Sequence, residues 1–109
     1  MISIAPYRGI SLKSEWVEKV IIQLNRDLSL TGYDHEFKVQ SNLLDFQEQC
    51  IEFFESLLEK NDQQLYNLLY RIDVDQKKIY SGQGKPQLLI AQLVIQREFQ
   101  KVVLKNQFS

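Results

Sequence analysis

Cysteine, histidine and tryptophan each occur once in these 109 residues, and several kinds of chemistry go missing with them. A lone Cys50 leaves no partner for an intrachain disulfide, and an unstapled domain with a single thiol fits a reducing compartment. A lone His35 offers no second imidazole for a metal and no HExxH spacing, so no metal site is expected. Any Ser-His-Asp or Cys-His arrangement would have to run through it. With only 4 Gly and 2 Pro, the chain is neither collagen-like nor of low complexity.

Charge of one sign is also lacking. Thirteen basic against fourteen acidic side chains give a net charge of −1, without the basic excess usual in general nucleic-acid binders. The most apolar window, Leu88 to Ile95, is broken by Gln92 and falls far short of the roughly 20 residues needed to span a bilayer. Residues 1–8 lack the basic start and apolar core of a signal peptide. These features together predict a cytoplasmic, non-membrane protein that folds as one domain over residues 1–109.

What is present is helical periodicity, which apolar positions reveal at about 100° per residue. A first helix is predicted over 14–30, capped by Ser14, with Val17, Val20, Ile21, Leu24 and Leu28 on one face and Gly32 as its stop. Ile22 alone points to the polar side. A second helix is predicted over 42–60, capped by Ser41. Its apolar arc holds Leu43, Leu44, Phe46, Cys50, Ile51, Phe53, Phe54, Leu57 and Leu58, wide enough to touch more than one neighbour. A third is predicted over 62–72, capped by Asn61, with Leu65, Leu68, Leu69 and Ile72 inward and Tyr66 and Tyr70 half-buried at the flanks. A fourth is predicted over 86–104, with Pro86 in the first turn. Its leading half is apolar all round, as suits a central helix. The fold class expected is all-α, a four-helix up-and-down bundle.

Two stretches read differently. Tyr33, His35, Phe37 and Val39 alternate with polar residues, which indicates an extended or β-like segment over 33–40. Its candidate partners are Ile2-Ser3-Ile4 and Lys78-Ile79-Tyr80. Residues 73–85, with Gly82 and Gly84, read as a surface loop.

Near-neutrality conceals a division. Residues 34–62 hold eight carboxylates against Lys38 and Lys60, a net of −6, while residues 76–109 hold six cations against Glu98, a net of +5. Glu48, Glu52, Glu55 and Glu59 line up along the second helix, and Arg97, Lys101 and Lys105 along the fourth. Like charges at such spacings repel, so the acidic row is read either as a solvated outer face or as one that meets a compensating surface, on a partner protein or on a second copy of the chain.

Recognised chemical motifs fail on particular residues. Asp73-Val74-Asp75 opens like a calcium loop, but Lys78 stands where glycine is needed and Gly84 where glutamate is. Gly82-Gln83-Gly84-Lys85 lacks the leading glycine of a phosphate loop at Ile79 and its Ser/Thr at Pro86. Cys50 sits on the apolar arc, where a thiol is a core residue. The residues therefore predict a non-catalytic protein-interaction module, self-associating as a homodimer or binding a protein partner, without a cofactor. The alternative is a binder of a small anion through Arg71, Lys77, Tyr80 and Lys85 around the 73–85 loop. A nucleic-acid accessory role is the third reading.

Overall fold

The computed structural model describes residues 14–60, 62–81 and 84–108, the side chains of 14, 80, 81 and 106–108 excepted. Five helices occur among the described residues: α1 Ser14–Leu30, α2 Leu43–Glu59, α3 Gln64–Ile72, α4 Gln76–Ser81 and α5 Pro86–Phe108. No strand occurs among the described residues.

α5 is the central element. It packs against α1, α2, α3 and α4, while α1 also meets α3. The reason lies in its composition, since a helix that is apolar around most of its circumference must be covered on most of it. Ile90, Ala91, Val94, Ile95, Phe99 and Val102 are buried, and Leu93 and Val103 are partly buried against the same core. Val17, Val20, Ile21, Leu24 and Leu28 of α1 close on them, with Phe46, Cys50, Phe54 and Leu57 of α2 and Leu65, Leu68, Leu69 and Ile72 of α3. Trp16 stacks on Phe99 with ring centroids 5.8 Å apart.

The helix ends follow their chemistry. α1 stops in a Schellman turn, with Gly32 N–H donating to Ser29 O and Tyr33 N–H to Leu28 O. Gly32 takes φ +90° there, open to glycine at little cost. α3 stops in the same way at Asp73, which adopts φ 71°. Asp73 and Val74 donate their N–H groups back to Tyr70 O and Leu69 O.

The structure corrects several sequence expectations. Asn42 caps α2 in place of Ser41, its Oδ1 accepting from Asp45 N–H at 3.1 Å. α3 begins at Gln64, where Asp62 Oδ1 accepts the N–H at 2.8 Å; Asn61, the predicted cap, lies outside the described residues, as does the Ser14 side chain. Residues 76–81 of the expected 73–85 loop are helix α4, capped by Asp75 Oδ1 accepting from Lys77 N–H. One turn is too short to show a period, and burial of Ile79 and Val74 holds it in place. α5 continues past 104 to Phe108. Tyr70 is 84 % exposed where half-burial was expected, and Leu44 is 60 % exposed despite its place on the apolar arc.

Residues 33–40 pass from α1 to α2 without turn, bend or strand pairing. Of their two predicted partners, 78–80 belong to α4, and Ile2–Ile4 lie outside the described residues. An amide side chain stands in for a neighbouring strand. Asn25 Nδ2 donates to Phe37 O at 2.9 Å, and Phe37 N–H donates to Asn25 Oδ1 at 2.8 Å. Asn25→Ala is expected to cost about 2 kcal/mol, since it strips two bonds from a buried residue's backbone. Urea denaturation measures the loss, and faster exchange of the Phe37 amide locates it.

Candidate functional site

Two regions gather polar groups: a buried charged junction joining α1, α3 and α5, and an acidic face on α2 with the groove beside it. At the junction, the Asp27 side chain is only 1 % exposed. It receives Lys101 Nζ on Oδ2 at 3.0 Å and Arg71 Nε on Oδ1 at 3.4 Å. Glu98 is 0 % exposed, and neither of its oxygens receives a well-directed hydrogen bond, although Lys101 Nζ stands 3.4 Å from Oε1. Lys101 also reaches Arg71 O at 3.4 Å, tying α5 to the end of α3.

The two carboxyls part company in acidity. Burial pushes Glu98 up to about 9, helped by Asp27 both as an acceptor for its proton and as a negative neighbour, against the pull of Lys101. Burial acts on Asp27 in the same sense, but hydrogen bonds from Glu98 and Lys101, the Lys101 charge and Arg71 together hold it below the usual carboxylate range. At neutral pH the junction therefore holds a neutral Glu98, an ionised Asp27 and two cations. Such a cluster is a structural clasp, its two carboxyl side chains enclosed by packing.

Each cation in the basic row of α5 makes a side-chain contact within the chain. Lys101 is held as described, Lys105 Nζ donates to Gln23 Oε1, and Arg97 Nη2 meets Asp73 Oδ2 at 3.1 Å. The acidic row of α2 has no such fate. Glu48, Glu52, Glu55 and Glu59 are all exposed, and no ion pair among the described residues involves them. Beside this row run Leu44, Ile51 and Leu58, seven residues apart and therefore on one stripe. Leu44 and Leu58 are exposed, and Ile51 is half-buried.

On the other flank of α2 lies a groove of about 510 Å³, walled by residues 35–38 and by Gln49, Glu52, Phe53 and Ser56. Its floor is aromatic. His35 stacks on Phe53 at 4.4 Å between centroids, and Phe37 meets Phe53 edge-on at 5.4 Å. Burial against these rings lowers the His35 pKa, so the ring is neutral at pH 7. Tyr33 donates its hydroxyl to Asp62 Oδ2 at 3.2 Å and pins the start of the segment.

No family model, curated protein or solved structure matches the chain.

The residues of the predicted anion patch lie on α3, on α4 and just before α5. Arg71 is committed to Asp27, Lys77 and Lys85 are exposed on separate elements, and the Tyr80 side chain lies outside the described residues. A cleft of about 160 Å³ does form between residues 73–78 and α5, but Asp73, Asp75, Lys78 and Arg97 line it. Two carboxylates there oppose an anion. No group of three or more potential metal ligands occurs among the described residues, and no described helix is long and apolar enough to cross a membrane. Cys50 is fully buried, and burial pushes its thiol far up.

Sequence reasoning passed over Asp27 and Glu98, counting them only as charges. Helical spacing did carry a signal: Glu98 lies between Val94 and Val102 at i±4, in the middle of the α5 seam. Gln47 and Gln23 are likewise buried among apolar neighbours.

Proposed function

We propose that this chain is a non-catalytic protein-interaction module of the cytoplasm, a four-helix up-and-down bundle with α4 added, whose α2 face docks a basic partner protein. The observation that carries this reading is the unequal fate of the two charged rows. Each cation of the basic row bonds within the chain, two of them to carboxylates, and the acidic row meets no counter-charge among the described residues. Self-association by joining the rows would require Lys101 to leave Asp27 and Glu98, so the favoured partner is a different protein. Leu44, Ile51 and Leu58 supply apolar area, and the glutamates supply steering and discrimination.

A synthetic amphipathic lysine–leucine helical peptide serves as the probe, followed by stopped-flow anisotropy. The expected association rate falls several-fold when Glu52→Gln and Glu55→Gln are combined, and falls again as salt rises from 50 to 300 mM. Unchanged kinetics would leave the row a merely solvated surface. Sedimentation is expected to show a monomer at all concentrations; a dimer dissolved by the same substitutions would restore self-association.

A further inference from the structure

We infer that residues 34–38 form a docking edge for an extended, basic segment of a partner protein, which pairs with the exposed backbone and lies in the groove against α2. The inference rests on the interaction reading above and adds a second contact for that partner, on the other flank of α2. Along a chain that runs without turn or bend, the N–H and C=O groups of successive residues leave by opposite edges. Phe37 spends both groups on Asn25, which turns its edge toward α1. Glu36 and Lys38 must then present theirs on the other edge. No described residue bonds to their backbone groups there.

The groove lies between this segment and α2. Residues 35–38 form one wall and Gln49, Glu52, Phe53 and Ser56 the other. A helix could not use the free edge, because its own backbone groups are spent within it. An extended peptide can, adding itself as a strand while alternate side chains rest on His35 and Phe53. Charge chooses the peptide. Glu36 and Glu52 outweigh Lys38 in the groove, and Glu48, Glu55 and Glu59 extend the field along α2. The same charges guard the edge against indiscriminate pairing.

The probe is a blocked hexapeptide of alternating lysine and valine, compared with versions N-methylated on every second residue in either frame. Binding is expected to fall about tenfold for one frame only, because only one row of peptide amides faces the edge. The Glu36 and Lys38 amides should shift downfield and exchange more slowly on binding, while that of Phe37 stays unchanged. Equal binding by both methylated frames overturns the inference, as does protection of the Glu36 and Lys38 amides in the free chain. Failure of the hexapeptide while the helical lysine–leucine peptide still binds refutes the edge but keeps the interaction reading. Failure of both refutes both.

Discussion

Asp27→Ala is expected to lower the stability of the fold by about 3 kcal/mol, because it strands charges that were buried as a paired set. Lys101 and Glu98 would lose their common neighbour, and Arg71 its only carboxylate contact in the junction. The magnitude sits at the low end for broken buried pairs, since Lys101 keeps 21 % of its side chain in solvent and Arg71 keeps half. In thermal unfolding the same change corresponds to a loss of roughly 15 °C. Asp27→Asn should cost less. Like alanine it removes the negative neighbour that disfavours ionised Glu98, but it also preserves the shape and keeps a side-chain oxygen for Lys101. Equal losses for the two substitutions would show that charge, and not shape, is what Asp27 contributes.

Wild-type stability is expected to fall as pH rises from 5 to 8, and Glu98→Gln is expected to abolish that fall. Glu98 releases its proton near 4.5 in the unfolded chain but only at about 9 in the fold. Across that interval the folded state binds the extra proton, so each rise in pH favours unfolding. At about 1.4 kcal/mol for each pH unit, the loss accumulated between pH 4.5 and pH 7 is about 3 kcal/mol. Glutamine keeps the shape, has no proton to release and can still donate to Asp27. Urea midpoints at pH 5 and pH 8 decide the matter: the variant should match the wild type at the first and exceed it at the second. Asp27 works in the opposite sense. Its lowered pKa adds stability that is complete above the unfolded value of 3.8 and is lost as pH falls through the folded value. The junction is therefore most stabilising around pH 4 to 5. A wild-type stability that stays flat from pH 5 to pH 8 would mean that Glu98 is ionised and solvated in the native protein.

Both predictions concern residues that a reading of the chain treats as ordinary charges. A helical seam of Val94, Ile95, Val102 and Phe99 reads as apolar, and one glutamate within it is easily assigned to the surface. Only the approach of α1 and α3 shows that Glu98 has no water, and that Asp27 and Lys101 are what it faces instead. The charged rows teach the same lesson from the other side. Spacing alone placed Arg97, Lys101 and Lys105 in one line, and Glu48, Glu52, Glu55 and Glu59 in another. It could not say that the first line would be met from within the chain and the second would not, because the partners lie 24 to 82 residues away.

Local order was legible wherever a single helix decides its own pattern. The apolar stripes of α1 and α3, the stop at Gly32, the first-turn Pro86 of α5 and the burial of Cys50 all follow from propensity and period within a few residues. α4 was not legible, since six residues cannot stabilise a helix alone and Ile79 holds its place only through the core. The segment 33–40 lay between the two cases. Its alternation announced an extended chain, but its anchor is an asparagine side chain on α1, a contact twelve residues away that no pattern encodes. Periodicity records which face of an element avoids water; which buried polar group meets which other is a matter of how the faces come together, and that was decided by packing around α5.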